Sequence, residues 1–524
     1  MPDSRTPESP AGAPAGQPAP LYVIGLGLPA GGGESSARRG FFSCPALDSH
    51  PLLAAAEVLV GGKAQLAALA DHPAEKLVVG ADMPALYERL DANRRAGRIQ
   101  VVLCNGDPLF FGLGARLAER FGPDGLRVLP GTSSLQAAAA FLGLPWENVT
   151  SVSLHGRSSR LPLARALIVA RADGGPVFVL TDAANPPAAV AAFMKERGHD
   201  RYRLHLMENL HLTPEGVRAE QYTRLSVDQA LALPPEAPEG RIPRQLVMLL
   251  EPERPESGAP AAGWPFGLPD ASLVAENNLL TKAPARAAGL AALGIEAGHT
   301  VWDLGAGSGA VSVEAARLAW RGLVVAVEAK ADRIPLIEEN RRRFGAANLE
   351  ILHGTLPGAL AVCCERFPRP DRIFIGGGLG AVSKYVFCPM AASSGPFYSG
   401  RGPSESTPFA KRPAFLALGP KSVIWKQPLG GGPGRGFEDG SNGESAAGQI
   451  LHKAWEALLP GGRLVIHCVL LSTLEFARDR LARLGARPDV ACIQASLSTP
   501  LAGDCRLQAQ NPVFLVSACK GAGM

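Results

Sequence analysis

The sequence predicts two α/β domains in tandem. Short runs of consecutive apolar residues alternate with Ala- and Leu-rich segments, which is the pattern of buried strands joined by helices. A stretch rich in Pro, Ala and Glu interrupts the alternation at 251–266, and several apolar runs end in Gly-rich turns. We therefore expect a first domain at 21–250, a linker at 251–266 and a second domain at 267–524.

The first domain begins after a leader, 1–20, that holds six Pro and few apolar side chains. Such a composition predicts disorder. The Ala-rich run Ser134–Leu142 is predicted to be a helix. The strands of this domain are predicted at Leu21–Gly27, 101–104, Val177–Leu180 and Gln245–Leu250.

The second domain repeats the alternation of strand and helix with different sequences. Its strands are predicted at Val301–Gly305, Val324–Glu328, Leu349–His353, Arg372–Ile375, Arg463–Val469, Val490–Ala495 and Val513–Ser517. Its helices are predicted at Val311–Trp320, Asp332–Phe344, Ile450–Leu459 and Leu474–Leu484. The region 384–447 is rich in Gly, Pro and Ser, and we interpret it as a surface insertion.

Composition excludes several classes of protein. The chain has 524 residues and a formal net charge of +4, whereas a general nucleic-acid-binding protein usually carries a strongly basic surface. No run reaches about 18 uninterrupted apolar residues, so we expect no membrane span. The amino-terminal segment has no basic start followed by an apolar core, which argues against a secretory signal.

The cysteines indicate a reducing compartment. There are nine of them, and no two are spaced as C-x-x-C. An odd number without paired spacing predicts neither a disulfide framework nor a zinc site. We therefore expect a cytoplasmic protein without a bound metal.

The sharpest local signal is the run 301–309, VWDLGAGSG. A strand ends in a Gly-rich turn, and Glu328 ends the next strand, where a carboxylate can accept from ribose hydroxyls. Three interpretations compete. The run could be a strand–helix turn without a ligand, a dinucleotide site of the G-x-G-x-x-A type, or an S-adenosylmethionine site. Asp303 favours the last, because a carboxylate suits a cationic ligand and repels a pyrophosphate.

Three turns of the first domain also follow apolar strands. They are Gly25-Leu26-Gly27, the run 105–112 (NGDPLFFG) and the run 130–134 (PGTSS). Taken alone, each of these turns has a sequence that is common in turns without a bound ligand. Together they would put backbone donors, hydroxyls and one carboxylate at strand ends, where open α/β sheets bind ligands.

The second domain resembles the carbon-15-methylating, decarboxylating methyltransferases of corrin biosynthesis. The resemblance is carried by Thr281-Lys282, WDLGAGSG, Glu328, the run 374–377 (FIGG) and the run 460–464 (PGGRL). It implies a Rossmann-like S-adenosylmethionine-dependent domain. The implied donor-binding residues are Thr281, Asp303, Gly305, Ala306, Gly307, Ser308, Gly309, Glu328, Thr355 and Leu356. The turn at 354–357 departs from the family, because it reads GTLP where an acidic residue is usual.

The first domain resembles the tetrapyrrole methylases, and within them the carbon-5 methyltransferases of the corrin pathway. The resemblance rests on the run 60–63 (VGGK), NGDPLFFG, the run 133–136 (SSLQ) and the run 153–157 (SLHGR). The implied donor-binding residues are Gly25, Gly27, Gly106, Asp107, Pro108, Gly131, Thr132, Ser133 and Ser134. The loop at 28–50 departs from the family pattern.

The two resemblances together imply a fused enzyme that methylates one tetrapyrrole at carbons 5 and 15. They imply one S-adenosylmethionine site per domain and, for the second domain, self-association into a homo-oligomer. The substrate carries many carboxylates, so we expect cationic side chains near the entrances of the two sites to bind them. Our candidates are Lys282, Arg286, His155 and Arg157, each of which could instead be an ordinary solvated or loop residue. We interpret the run 341–343 (RRR) as a solvated helix end.

Overall fold

The first of three large sheets is parallel and lies in the amino-terminal part of the chain. In the computed structural model, the described residues are 18–29, 50–234, 246–253, 266–276, 280–376, 379, 445–501 and 504–521. The strands of this sheet, in chain order, are β1 (Leu21–Gly25), β2 (Val58–Gly61), β3 (Glu75–Val78), β4 (Gln100–Cys104) and β5 (Leu126–Leu129). Their spatial order is β3-β2-β4-β1-β5. The accompanying helices are α1 (Pro51–Ala54), α2 (Lys63–Ala68), α3 (Met83–Arg95) and α4 (Leu113–Phe121).

A helix connects this sheet to a second, mixed sheet. Helix α5 (Ser134–Leu142) has the predicted bounds because Ser133 and Gln136 form a capping box at its start and Gly143, with φ +65°, ends it. The mixed sheet has the order β11-β8-β12-β7-β6. Its strands are β6 (Thr150–Ser153), β7 (Val177–Leu180), β8 (Tyr202–Glu208), β11 (Gln221–Ser226) and β12 (Leu246–Pro252), and a small hairpin of β9 (His211–Thr213) and β10 (Gly216–Arg218) lies between β8 and β11 in the chain. Helices α6 (Leu161–Asp173), α7 (Pro187–Glu196) and α8 (Val227–Leu231) complete the domain.

The second domain is built on a seven-stranded sheet. The strand order is β15-β14-β13-β16-β17-β21-β18, and only β21 runs antiparallel to its neighbours. The strands are β13 (Thr300–Leu304), β14 (Leu323–Glu328), β15 (Leu349–His353), β16 (Arg372–Ile375), β17 (Arg463–Cys468), β18 (Asp489–Ile493) and β21 (Val513–Cys519). A separate hairpin pairs β19 (Ser496–Leu501) with β20 (Asp504–Ala509).

Helices cover both faces of this sheet. Helices α9 (Ala283–Leu293), α10 (Ala310–Leu318) and α11 (Ile334–Phe344) pack on the face that carries Phe374 and Val465. Helices α12 (Gly358–Arg366), α13 (Ala446–Ala457) and α14 (Leu471–Arg483) pack on the opposite face. Because helices cover both faces of the sheet, its strands appear in the sequence as continuous apolar runs.

The expected α/β fold class is confirmed. The strands predicted in both domains are present, and their ends coincide with the predicted ones or are shifted by one or two residues. The sequence did not reveal the strands β2, β3, β5, β6 and β8 to β11 of the first domain, nor the hairpin β19–β20 of the second. The antiparallel pairing of β8 with β11 and β12 was likewise not predicted. Most of the predicted leader, linker, 28–50 loop and 384–447 insertion lies outside the described residues. Within the described part of the chain, no helix is long and apolar enough to cross a membrane.

Candidate functional site

Three glycine turns of the first domain meet at the carboxyl edge of its parallel sheet. Gly25 ends β1, while Gly106 and Gly131 follow β4 and β5. A Cβ atom added at Gly25 would lie 2.5 Å from the Gly131 amide nitrogen and 2.7 Å from the Gly106 carbonyl oxygen. No side chain fits such an approach, so glycine is required there. The three turns singled out from the sequence are therefore in contact.

Hydrogen bonds lock these turns together. The Gly106 amide donates to the Gly27 carbonyl at 3.0 Å, and the Gly27 amide donates to the Gly106 carbonyl at 3.3 Å. Asp107 accepts from the Leu109 amide at 2.9 Å and from the Gly131 amide at 3.3 Å. The Asp107 carboxylate thus bonds to backbone, and it fixes the distance between two turns.

The remaining candidates on this edge belong to the start of α5. Ser133 accepts from the Gln136 amide at 3.2 Å and its own amide donates to the Gln136 side chain at 2.8 Å, so Ser133 is a helix cap. Ser134 is the first residue of α5, and Thr132 lies beside Gly27. Pro108 packs against Gly25. All of the donor-binding candidates of this domain therefore lie on one edge.

His155 and Arg157 lie on the other sheet of the first domain, in an exposed loop after β6. The loop is held by Asp182, which accepts from the Gly156 amide at 2.5 Å, and by Asn185, whose side chain donates to the Arg157 carbonyl at 3.0 Å. Both cationic candidates are free to face solvent. Their role toward substrate stays a prediction.

Sequence reasoning did not single out Gln65 as part of this site. Its side chain donates to Asn105 at 2.8 Å and accepts from the Gly62 amide at 2.6 Å, so it braces the start of the NGDPLFFG turn. A cavity of about 280 Å³ opens beside the same turn, and Phe111 and Arg116 are among its lining residues. Gly62 has no side chain with which to complete a capping box, so the Gly62-x-x-Gln65 spacing gives no clear signal in the sequence.

The second domain has a comparable edge at the carboxyl ends of β13 and β14. Gly305, Gly307 and Gly309 have φ of +81°, +61° and +79°, which explains the Gly-rich sequence of this turn. A Cβ added at Gly307 would meet nothing within 4 Å, so the turn faces open space there. A Cβ added at Gly376, after β16, would lie 2.9 Å from the Gly305 carbonyl oxygen. Gly376 therefore allows the two strand ends to approach.

Acidic side chains bracket this turn. Glu328 is buried and accepts from the Gly307 amide at 2.7 Å and from the Lys330 amide at 3.0 Å. Asp303 is buried and accepts from the Ser312 hydroxyl at 2.5 Å. Burial, together with the charge of Glu328, raises the pKa of Asp303 to about 7. Asp303 thus exchanges its proton near neutral pH.

The turn also contains a buried polar atom without a partner. Ser308 Oγ is buried, and within the described residues it makes no hydrogen bond. Ala306 lies in the same turn and its amide donates to the Val327 carbonyl at 3.0 Å. A buried hydroxyl without a partner is costly unless a ligand or water meets it.

Thr355 and Leu356 lie at the next strand end, after β15. The Gly354 amide donates to the Glu328 carbonyl at 2.9 Å, which places this turn beside Glu328. Thr355 is exposed, whereas Leu356 packs partly against the core. The turn has no acidic side chain, and that Thr355 and Leu356 contact a ligand stays a prediction.

Arg286 does not lie where a substrate carboxylate could reach it. Its side chain is fully buried and donates to Glu314 at 2.5 Å and to Asp270 at 3.1 Å. It also donates to the carbonyls of Thr281 and Leu268. These contacts use the guanidinium inside the protein, so the expected substrate contact is replaced by a structural role. Lys282 is partly exposed at the start of α9 and stays a candidate.

Among the described residues, no group of three or more His, Cys, Asp or Glu side chains is arranged to hold a metal ion. The seven described cysteines are free thiols. The two glycine-lined strand edges carry one carboxylate in the first domain, Asp107, and two in the second, Asp303 and Glu328.

Comparisons with known proteins match each half of the chain to a methyltransferase family. The family model for tetrapyrrole (corrin/porphyrin) methylases matches residues 49–221, and the model for a precorrin methyltransferase domain matches residues 273–395. The first match begins after Gly25, which lies in the same sheet as the matched strands, and after Gly27, which forms an isolated bridge to Gly106. A solved structure of a precorrin-6Y C5,15-methyltransferase from Geobacter metallireducens covers 49% of this chain and 99% of its own, with 23% identity and a TM-score of 0.34.

The names of three curated relatives describe methylation at carbon 5, at carbon 15 or at both positions. A cobalt-precorrin-7 C(5)-methyltransferase of Salmonella typhimurium is 32% identical over 38% of this chain and 88% of its own length. A cobalt-precorrin-6B C(15)-methyltransferase (decarboxylating) of the same organism is 27% identical over 47% of this chain and 91% of its own length. A precorrin-6Y C(5,15)-methyltransferase (decarboxylating) of Sinorhizobium sp is 31% identical over 68% of this chain and 78% of its own length. The chain therefore belongs to the family of precorrin-6Y C(5,15)-methyltransferases (decarboxylating).

Proposed function

We propose that the chain binds S-adenosylmethionine once in each domain and acts on precorrin-6Y or its cobalt form. The first domain methylates carbon 5. The second domain methylates carbon 15 and removes the carboxyl group of the ring-C acetate. The observation that carries this proposal is the presence of two separate glycine-lined strand edges, one per domain.

The residues of the second edge suit this donor. S-adenosylmethionine, when bound, supplies an activated methyl group on a sulfonium. The open space at Gly307 lets a ligand approach the backbone, and Ser308 Oγ offers an unused hydrogen-bonding group. Glu328 uses two of its roughly four lone-pair sites on backbone amides, so it can still accept from ribose hydroxyls. Asp303 complements a cationic ligand when it is ionised.

The chain's own part in the chemistry is binding, orientation and exclusion of water. No strong general base is needed for transfer of an activated methyl group to an electron-rich carbon. Loss of the acetate carboxyl as CO₂ leaves an electron pair, which the conjugated ring can accept. We assign Lys282 and Arg157, which are cations, and the hydrogen-bonding side chain of His155 to the substrate's other carboxylates.

Site variants of the full chain test the division of labour. Gly307→Arg forces a bulky residue into the +61° backbone of the second edge, and Gly106→Arg does the same at +60° in the first. We expect Gly307→Arg to abolish decarboxylation and carbon-15 methylation while carbon-5 methylation continues, and Gly106→Arg to do the reverse. Mass spectrometry of the product separates these outcomes.

Titration with S-adenosylhomocysteine provides the second measurement. We expect two equivalents to bind per wild-type chain and one to each variant. Loss of both methylations in either variant, or one equivalent bound by the wild type, would contradict the two-site proposal.

We also propose that the chain forms a homo-oligomer. The hairpin β19–β20 exposes Leu497 and Leu507, the latter at 75% of its surface. A two-stranded ribbon is marginally stable in water unless another surface covers it. Sedimentation equilibrium should therefore give a mass above the 54.6 kDa of one chain.

A further inference from the structure

Three consecutive aliphatic side chains are exposed at the carboxyl end of β17. Val469, Leu470 and Leu471 expose 54%, 48% and 63% of their surface. Val469 and Leu470 join β17 to α14, and Leu471 is the first residue of α14. Single exposed apolar residues are ordinary, but three in a row form a continuous apolar patch that calls for an explanation. We name this segment, 469–471, the apolar lip.

The apolar lip lies on the same edge of the sheet as the donor-binding turn. Leu304 of β13 pairs with Ile375 of β16, which pairs with Ile466 of β17 in parallel register. Gly305, Gly376 and His467 therefore form the next row across the three strands. Neighbouring strands are about 4.8 Å apart, so β17 is only about 10 Å from β13. A ring lying on the lip would be near a donor held at Gly305–Gly309.

Leu470 breaks a local rule of helix formation. It is the N-cap of α14, and it makes no side-chain capping hydrogen bond. Ser, Thr, Asp and Asn are preferred at this position because their side chains satisfy an otherwise unpaired amide. A half-exposed Leu at this position therefore stabilises the start of α14 less than a capping side chain would. Such violations are expected where a residue serves function rather than folding.

A polar group without a partner lies at the same strand end. His467 Nε2 is buried and, within the described residues, makes no hydrogen bond. Its ring packs near Phe374, with ring centroids 6.1 Å apart. Burial lowers the pKa of His467, so the imidazole is neutral at physiological pH. His467 thus leaves one uncommitted hydrogen-bonding group at the strand end that leads into the lip.

We propose that the apolar lip is the surface on which the face of the tetrapyrrole ring rests while the second domain acts on it. This inference rests on the proposed function of the second domain. A conjugated macrocycle has a broad apolar face and carries its carboxylates at the rim, so aliphatic side chains suit its face and cations suit its edge. The position beside the donor-binding turn favours this occupant over a peptide or a second copy of the chain.

The test variant replaces two residues of the lip without destabilising α14, the helix that follows. Leu470→Ser supplies a favourable N-cap, and Leu471→Ser in the same chain removes the most exposed side chain. We expect the KM for precorrin-6Y in decarboxylation and carbon-15 methylation to rise by about tenfold or more, which corresponds to about 1.4 kcal/mol of binding. The thermal midpoint should stay equal or rise, so loss of activity cannot be assigned to unfolding.

The control is Val362→Ser, which removes an aliphatic side chain of 37% exposure from α12 of the same domain. It should leave the KM unchanged. Binding of S-adenosylhomocysteine and carbon-5 methylation should also be unchanged in the lip variant. An unchanged KM, or a shift of the lip variant to a smaller oligomer, would overturn the proposal. Absence of decarboxylation in the wild type would instead refute the proposed function.

Discussion

Asp303 is the residue whose ionisation connects stability to function most directly. It lies at the end of β13, buried beside Ser312 and near Glu328. Its pKa rises from 3.8 in the unfolded chain to about 7 in the folded protein. The folded state therefore binds a proton that the unfolded state releases between these two values. The resulting stability is fully present below pH 3.8 and is lost as the pH rises toward 7.

Replacing Asp303 by Asn should remove this pH dependence. The amide has the shape of a protonated carboxyl group and can still accept from Ser312, but it does not ionise. From pH 5 to pH 8, we expect the free energy of unfolding of the wild type to fall relative to Asp303→Asn by about 2–3 kcal/mol. Urea denaturation of both proteins at the two pH values measures this. Parallel pH dependence of the two proteins would show that the Asp303 carboxyl is not perturbed.

The sequence identified Asp303 but not its partner. A carboxylate two residues before a Gly-rich turn is a local pattern, so a few consecutive residues of the sequence are enough to recognise it. Ser312 lies nine residues later, in the first part of α10, and it meets Asp303 only because the turn folds back. Contacts made by tertiary folding leave no such local signal.

At the scale of elements, α9 is joined to its neighbours by Arg286. The buried guanidinium pairs with Glu314 of α10 and with Asp270, which precedes α9. Glu314 also accepts from the amides of Gly267 and Leu268. One arginine therefore holds the segment before α9 against two helices.

Arg286→Met should destabilise the second domain without changing substrate affinity. Removing the cation leaves two carboxylates uncompensated, one of them fully buried, and such a loss costs about 3–5 kcal/mol. Lys282→Met is the matched comparison, for which we expect a higher KM for precorrin-6Y and little loss of stability. Denaturation curves and KM values of the folded fraction are the measurements. A raised KM with unchanged stability in Arg286→Met would restore Arg286 as a substrate contact.

Strands covered on both faces were easier to predict than exposed ones, although the buried strand β2 was missed and the exposed strand β18 was found. The strands β13, β14 and β16 are covered on both faces, so they appear in the sequence as unbroken apolar runs. The hairpin strands β19 and β20 are mostly exposed and include Pro500, so they carry no periodic apolar signal. Their pairing is set by each other and by whatever surface covers them.

At the scale of the whole molecule, the two domains meet through the ends of α7 and α11, with Leu161 and Arg171 of α6 also lying against the second domain. Arg197 donates to the Ala347 carbonyl at 3.0 Å and pairs with Glu350 at 2.8 Å. Arg341 pairs with Glu196 at 2.7 Å. The interpretation of Arg341 as a solvated residue is therefore wrong, because it is buried against the first domain. Its neighbours Arg342 and Arg343 are exposed, as predicted.

A buried histidine completes this contact. His199 is almost fully buried, and its Nε2 lies 3.2 Å from the Gly345 carbonyl. Burial, with the nearby Arg171 guanidinium, lowers the pKa of His199 to about 3. The imidazole is therefore neutral in the contact and donates from Nε2. A sequence with two separate domain patterns contains no indication of which surfaces meet, so this contact could not be predicted.

Gly198 is the position at which this contact can be broken selectively. Its φ is +74°, and an added Cβ would overlap the Arg342 carbonyl oxygen of the second domain. Gly97 has the same φ of +74°, but an added Cβ there would meet nothing within 4 Å. Both Ala variants incur the cost of a left-handed backbone, about 1–2 kcal/mol. Only Gly198→Ala should push the domains apart.

Hydrogen exchange distinguishes the two variants. We expect amides 196–199 and 341–350 to exchange faster in Gly198→Ala than in the wild type, because the backbone groups at the contact become accessible. In Gly97→Ala these amides should exchange as in the wild type, despite a comparable local strain. Equal exchange in the two variants would mean that the domains are held by surfaces other than the ends of α7 and α11. Faster exchange in Gly198→Ala alone would identify this contact as the one that fixes the domains together.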